Sequence, residues 1–388
     1  MRRERHPTQG ALKGAEARSW MSKNTDVFVI GGGPAGLAAA IAARQRGFEV
    51  TIADGARPPV DKACGEGLMP DTLSALRDLG ISLSASDGFA LHGVRFWEHG
   101  TSAEADFPEE HGLGVRRVVL HQVLLENAQS MGVRFLWETP VVGIRSDEVL
   151  TAGGTIRARW IVGADGISSR VRQWCGLNDQ SHGGRRYASR RHYRVAPWSR
   201  HVEVHWGEGE QAYVTPVGEE SVCVVLVSRR PGARLSSLQE KFPELARRLD
   251  RATCIGAERG AVTVTRELKR VHRGAIALVG DASGSVDAIT GDGLNLGFRQ
   301  AQALGAAMQA GDLGAYQQAH RRLARRPTLM GRLLLLLDSQ PKLRHRAMRT
   351  LAAHPELFAR LLAVHVGATS PRDLAETGAL FGWRFVAA

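Results

Sequence analysis

The sequence predicts an α/β fold: a parallel sheet flanked by helices, interrupted by an inserted mixed β-sheet and closed by a helical C-terminal tail. Three observations predict it. Residues 26–54, DVFVIGGGPAGLAAAIAARQRGFEVTIAD, read as strand, glycine turn, helix, strand and acid. From about 180 to 270 the chain changes to β-type runs, such as the alternation at 201–206. From Leu294 the apolar spacing turns helical and stays so to about Val366.

The first stretch carries the chemistry. Apolar residues 27–30 stop at Gly31-Gly32-Gly33, a helical run over 35–46 follows, and a second β run at 49–53 ends on Asp54. Gly31, Gly33 and Gly36 fill G-x-G-x-x-G. The first glycine permits the tight turn, the second lets backbone approach a pyrophosphate, and the third lets helix and strand pack closely. Free N–H groups and a partial positive charge then face the phosphates from the helix N-terminus. Asp54 lies at the distance where a carboxylate accepts hydrogen bonds from the adenosine ribose.

The next elements follow in order. Residues 55–70 are a loop holding Lys62-Ala63-Cys64-Gly65-Glu66-Gly67, and Asp71 is expected to cap a short helix that Gly80 ends. Residues 92–107 read as strands. Arg116-Arg117 precede a helix with Leu120, Leu124, Leu125 and Ala128 on one face. Strand-like runs follow at 133–137, 141–144 and 155–162, the last running into Gly163-Ala164-Asp165-Gly166. The 180–270 region reads as an inserted sheet with one face over a pocket, covered by a helix near 238–249. A buried strand at 276–279 ends on Gly280-Asp281, and the tail is expected to be cut by Pro327, Pro341 and Pro355. The boundaries drawn are a disordered basic extension (1–24), a cofactor domain (25–180 and 270–312), a substrate domain (92–112 and 181–269) and a helical C-terminal region (313–388).

Composition narrows the function. With 388 residues, the chain can bury a large core. Its +12 net charge suits a solvated basic surface, an anionic membrane face, phosphorylated ligands or an acidic carrier protein. No aromatic-interleaved basic motif, zinc spacing or recognition helix points to nucleic acid. Cys64, Cys175, Cys223 and Cys254 are far apart without C-x-x-C, which fits a reducing, cytoplasmic compartment. The first ~20 residues lack an apolar core, so they read as an extension and not a secretory signal, with Met21 an alternative start. No run is long enough for a transmembrane segment.

Several residues carry two readings. Cys64, Trp206 and Tyr213 are the catalytic or pocket-lining candidates, against plain packing. His201, Glu203 and His205 share a strand face and read as solvated; no metal is assigned. Arg185, Arg186, Arg190 and Arg191 read as a solvated charge run. The 333–337 leucine run reads as helix–helix core, with peripheral membrane docking as the alternative.

Three further segments suit the same dinucleotide: WIVGADGISSRVR at 160–172, AIALVGDASGSVDAITGDGLNLG at 275–297, and Arg117 opening a helix. With these in order, the chain resembles flavoprotein monooxygenases of the para-hydroxybenzoate hydroxylase type and their relatives, the geranylgeranyl reductases and flavin-dependent halogenases, over about residues 26–308. The resemblance implies a Rossmann-type, glutathione-reductase-like FAD-binding domain. It also implies roles. Gly31, Gly33, Pro34, Ala35 and Gly36 hold the pyrophosphate, and Asp54 the ribose. Cys64 and Gly65 lie on the flavin side, Arg117 reaches the ribityl-pyrophosphate region, and Val142 frames the adenine. Asp165 with Gly166 forms a second fingerprint, and Gly280-Asp281 binds the ribityl hydroxyls. Gly293, Leu294 and Asn295 present N–H groups to the isoalloxazine edge, where reduced flavin is anionic.

The branch is narrowed by departures. Gly284 stands where hydroxylases carry His, and Ala288 where they carry Pro. The halogenase Trp-x-Trp-x-Ile-Pro segment is absent. The loops at 62–67 and 290–293 resemble the K-P-C-G and T-G-E-G segments of the reductases, but the reductase Tyr-x-Trp-x-Phe-Pro is shortened to Tyr213-Val-Thr-Pro216. The expectation is a FAD-dependent oxidoreductase, monooxygenase or reductase, acting on a hydrophobic, lipid or carrier-bound small molecule. Only one Rossmann G-x-G-x-x-G fingerprint exists, which argues against a separate nicotinamide domain, so NAD(P)H is expected as a transient co-substrate. A non-catalytic FAD-binding module is the alternative from another class.

Overall fold

A computed structural model describes residues 24–178 and 180–369, together with positions 376 and 378. The basic extension at 1–23 and most of the chain after 369 lie outside the described residues.

The cofactor sheet has eight strands. Its parallel centre runs Ile276–Leu278, Gly154–Gly163, Thr25–Ile30, Val50–Ala53 and Arg134–Leu136. The Thr25–Ile30 strand is central because both its faces are apolar: Val27, Phe28 and Val29 are fully buried. The helix Pro34–Arg44 packs on one face through an alanine-rich run, every residue from Gly36 to Ala43 buried. Its closest helical neighbour is Gly293–Ala310, whose small buried residues Gly297, Ala301 and Gly305 permit the approach. Helix Arg117–Ser130 packs on the same layer.

A second sheet has seven strands in the order Thr253–Leu268, Gln180–Arg194, Ser221–Ser228, Glu210–Gly218, His201–Trp206, Gly93–Glu98 and Thr101–Asp106. It is antiparallel except where His201–Trp206 runs parallel to Gly93–Glu98. Residues 93–106 therefore join a sheet whose other strands come a hundred residues later, a pairing across the glycine-rich loops that no local pattern encodes. The covering helix near 238–249 is split at Phe242 into Leu238–Lys241 and Pro243–Leu249, because Pro243 has no N–H with which to continue the first.

Three further helices follow among the described residues: Leu313–Ser339, Pro341–Ala353 and Pro355–His365. Two prolines act as expected, each at the first turn of its helix, where a missing N–H costs nothing. Pro327 does not cut the chain. The 27-residue helix runs through it, and Pro327 is buried. Tertiary packing there outweighs the lost intrahelical bond. These helices lie against the second sheet, with Phe358, Leu362 and Met348 packed on Val94, Val204 and Trp206.

Three local expectations are corrected. Asp71 does not cap its helix: Met69 is the cap, Pro70 opens the turn, and the Asp71 carboxylate is buried against Asn295 and Arg326. Arg186 and Arg190 are not solvated, being 3% and 2% exposed in ion pairs with Asp287 and Asp61. Glu203 is 1% exposed and accepts from Arg95, Trp198 and His205, so that strand face is an internal polar cluster. His201 turns instead to Asp106.

Candidate active site

A cavity of about 830 Å³ lies between the two sheets and continues beneath the C-terminal helices. One end is made by the glycine turn. Gly31 adopts φ +111°, and a Cβ there would meet the Ala164 carbonyl at 2.5 Å. A Cβ on Gly36 would lie 1.9 Å from the Gly31 carbonyl oxygen. Gly33 is different, because nothing lies within 4 Å of its Cβ position and it faces the cavity. Leu37 donates the first helical bond, to Gly33, which leaves the N–H groups of Ala35 and Gly36 outside the ladder. Two side chains hold the turn. Asp54 accepts the Gly32 N–H at 2.7 Å and the Ala56 N–H at 2.8 Å. His121, 1% exposed, donates through Nε2 to the Gly32 carbonyl at 2.9 Å. Burial lowers the His121 pKa and so favours the uncharged ring. No motif announces His121; its only sequence signal is a polar residue on the apolar face of its helix.

The opposite wall is a second helix N-terminus. Gly291 turns at φ +70° and helix Gly293–Ala310 starts without a side-chain cap. Leu296 makes its first intrahelical bond to Asp292, so the N–H groups of Gly293, Leu294 and Asn295 stay free for a ligand. The Asn295 side chain points away, to Asp71 at 2.6 Å. Buried Asp71 and Asp292 sit under this turn, and burial raises both carboxyls above the usual range. Arg326 and His365, from the C-terminal helices, oppose that shift.

Asp281 is accessible on the cavity floor. Enclosure raises its carboxyl, while Arg117, Lys62, Arg266 and Arg172 pull the other way. The loop that carries it is bolted from outside. The Gln300 side chain accepts the Gly280 N–H at 2.8 Å, Tyr316 donates to the Leu278 carbonyl at 2.6 Å, and His320 reaches the Ser283 hydroxyl at 2.9 Å. Burial lowers the His320 pKa to about 4 from 6.5. Its contribution to stability is therefore complete above pH 6.5 and lost as pH falls toward 4, where only the unfolded state takes up the proton. The expected loss is roughly 2 kcal/mol between pH 6.5 and 5. Urea titrations of the protein and of His320→Gln at the two pH values will show a smaller loss in the variant.

The other predicted residues fall in different places. Cys64 and Gly65 line the cavity, as do Pro34, Ala35, Arg117 and Leu294. The Cys64 sulfur accepts the Glu66 N–H at 3.4 Å. Asp165 spends its carboxylate on Ser169, Arg170 and Val171, closing the turn before helix Arg170–Trp174, and Gly166 beside it faces the cavity. Val142 is 54% exposed on the hairpin beside the Asp54 turn. Tyr213 lines the cavity with its hydroxyl on Gln211 at 2.5 Å, and burial raises its pKa. Trp206 is 4% exposed, edge-on to Phe96 and under the Arg344 guanidinium, and packs in the core.

The family profile described as FAD binding domain matches residues 24–312. The chain belongs to the FAD-binding-domain family. It is a FAD-dependent oxidoreductase. Menaquinone reductase of Mycolicibacterium smegmatis is 28% identical over 353 residues, which span 82% of this chain and 85% of that one. Digeranylgeranylglycerophospholipid reductase 1 of Methanopyrus kandleri is 30% identical over 295 residues, 70% of this chain and 76% of that one. Among solved structures, a geranylgeranyl bacteriochlorophyll reductase-like protein of Thermoplasma acidophilum superposes with TM-score 0.69 at 20% identity, over 92% of this chain and 96% of that chain. The p-nitrophenol 4-monooxygenase of Pseudomonas putida gives 0.73 at 19%, over 88% and 95%. At those identities the structures speak for the fold alone.

The residues present fit FAD. Gly33, Gly65, Gly166 and Gly293 all line the cavity with open space where a Cβ would stand. The Arg117 Nε is buried without a hydrogen-bond partner among the described residues. Two helix N-termini open onto the same cavity, and Asp281 offers an accessible acceptor beside them.

Proposed function

We propose that this protein reduces a double bond of a long isoprenoid-type lipid, which it takes from a membrane surface, with NAD(P)H visiting transiently as reductant. The observation that carries the reading is the lining of the cavity. Beyond the cofactor residues its walls are apolar, with Phe96, Val204, Leu337 and Phe358 among them. It ends beneath the helix Leu313–Ser339, where Leu333 and Leu336 both line it and stand 49% and 47% exposed. A channel of that lining suits an extended hydrocarbon chain and excludes water. The names of the relatives, a menaquinone reductase and a glycerophospholipid reductase, support the same substrate class.

Bound flavin supplies two-electron transfer at the polar end of the channel. This chain supplies the rest. The free N–H groups of Gly293, Leu294 and Asn295 stabilise negative charge on the group they face. Arg117 and Lys62 balance Asp281. A single Rossmann G-x-G-x-x-G turn leaves the open side of the cleft as the approach for NAD(P)H. Four free cysteines are in keeping with a cytoplasmic compartment. The test is anaerobic: protein reduced beforehand, mixed with a polyprenyl quinone or glycerolipid, is expected to give a product heavier by two hydrogens. Conversion that needs oxygen and adds an oxygen atom to the product would replace this reading with monooxygenation.

The surface reading rests on helix geometry. Leu329, Leu333 and Leu336 lie on one face, and Arg325 and Arg322 continue it one and two turns earlier. Exposed leucines beside cations match an anionic lipid interface. No helix among the described residues is long and apolar enough to cross a membrane. Replacing Leu329 and Leu333 with Glu is expected to lower partitioning onto phosphatidylglycerol vesicles by about tenfold or more in co-sedimentation. Unchanged partitioning would remove the surface role.

A further inference from the structure

Glu66 lines the cavity between Gly65 and Gly67, is 3% exposed, and has φ +61°, a left-handed conformation that costs a non-glycine residue energy. The structure meets that cost with four hydrogen bonds. Its N–H meets the Cys64 sulfur, and its carbonyl accepts the Val115 N–H at 2.8 Å. One carboxylate oxygen accepts the backbone N–H of Arg117 at 2.9 Å, and the other meets His192 Nε2 at 2.6 Å. His192 is 3% exposed, and its Nδ1 lies 3.0 Å from Arg190 Nη1. Arg190 in turn pairs with Asp61 and reaches the Lys62 carbonyl at 3.4 Å. Cys223 Sγ meets the Cys64 carbonyl at 3.7 Å.

The direction of this chain is determined by its members. A guanidinium has donors only, so His192 Nδ1 must accept, and the ring hydrogen sits on Nε2 and is donated to Glu66. Glu66 therefore receives two N–H donors, from Arg117 and from His192. Asp61, Cys64 and Glu66 belong to the cofactor-facing loop, whereas Arg190, His192 and Cys223 belong to the second sheet. Glu66, His192 and Cys223 also place metal-type ligand atoms within 4.8 Å of one another. A cation there would have to break the Glu66–His192 bond and lie beside the Arg190 guanidinium, so the cluster does not suit a metal.

We propose that Glu66 and His192 are a positioning pair: they hold the 61–67 loop and the Arg117 N-terminus in register with the second sheet, and thereby set the affinity and potential of the flavin. Arg117 is the link. Its backbone is held by Glu66, and its side chain lines the cavity where the cofactor fits, with Nε lacking a hydrogen-bond partner among the described residues. The polarity of the chain gives an unusual prediction. In Glu66→Gln the new amide must point its N–H₂ at one of two N–H donors, whichever way it flips. Adding His192→Glu would cure this, because the new carboxylate accepts from both that amide and Arg190 while the summed charge is kept. His192→Gln beside native Glu66 would keep the donor order, and His192→Leu would end it.

The test measures FAD dissociation constants by fluorescence titration of apoprotein, flavin midpoint potentials, and apoprotein melting temperatures. Glu66→Gln and His192→Leu are expected to weaken FAD binding tenfold or more and to shift the potential, as loss of a charge-assisted bond at a buried site should. His192→Gln is expected to stay within about threefold of the native protein, and the double variant Glu66→Gln/His192→Glu to recover most of the loss. Native FAD affinity and potential in Glu66→Gln would overturn the proposal. So would equal losses in His192→Gln and His192→Leu, because donor order would then be irrelevant. If Glu66→Gln does not fold, the two His192 variants decide.

Discussion

Gly33→Val protein is expected to fold and emerge colourless, whereas Gly36→Val is expected not to yield a stable protein. The two glycines are three residues apart in one turn, yet they face opposite ways. A Cβ at Gly33 meets no heavy atom within 4 Å, so added methyls enter only the space where the pyrophosphate fits. FAD affinity should fall roughly 100-fold, about 3 kcal/mol, the upper end of what overpacking a close-fitted site costs. A Cβ at Gly36 stands 1.9 Å from the Gly31 carbonyl, and both partners are backbone, one in the tight turn after the strand and one in the helix. The overlap can be relieved only by moving the helix Pro34–Arg44 off its strand, opening the largest core cluster. FAD titration and apoprotein melting separate the two outcomes. Equal colour loss and equal melting in both variants would show that the turn has no such sidedness.

The second large effect lies far from the glycines. Arg344, 1% exposed, donates Nε to Glu98 at 2.5 Å and lies over the Trp206 ring. Glu98 is 2% exposed, and its other oxygen has no hydrogen-bond partner. Arg344→Leu would leave that buried carboxylate, between a C-terminal helix and the strand Gly93–Glu98, with His345 Nδ1 at 3.7 Å as its remaining ion-pair neighbour among the described residues. The expected cost is roughly 3–5 kcal/mol, read as a drop in the urea midpoint. Glu98→Leu added to Arg344→Leu should recover much of it, since two apolar residues of similar volume need no partner. A single variant as stable as the native protein would mean that the carboxylate finds water, and that the helix is not locked to the sheet through this pair.

The cofactor end of the molecule was legible because its signals are local. A strand, a three-glycine turn and a helix lie within thirty residues, and the close approach of Gly36 to the Gly31 carbonyl falls inside that stretch. The free N–H groups at residues 293–295 were legible for the same reason, since Gly291-Asp292-Gly293 starts the helix that carries them. The C-terminal helices were foreseen, but not where they reach. Arg326 on Asp71 and His365 on Thr290 join residues 255 and 75 positions apart. Pro327 misled because an intrahelical penalty is visible in sequence and the packing that outweighs it is not.

Charged residues were the least legible. Arg186, Arg190 and Glu203 read as solvated because a charge run most often is, and burial depends on whether a partner arrives from a distant loop or strand. Asp61, Asp287 and Arg95 are those partners, and no spacing rule links them. By itself, then, the sequence determined the sheet-and-helix class, the dinucleotide turn and the presence of a second sheet, all of which follow from periodicity and from what glycine alone permits. Only the tertiary structure decided which polar groups are buried together, how the 61–67 loop is tied across to the second sheet, and that the cavity runs on to two exposed leucines. Those depend on pairings between residues far apart in the chain, 101 positions for Arg186 and Asp287 and 129 for Arg190 and Asp61, whose energies come from desolvation and partner geometry and are not written in any one stretch of chain.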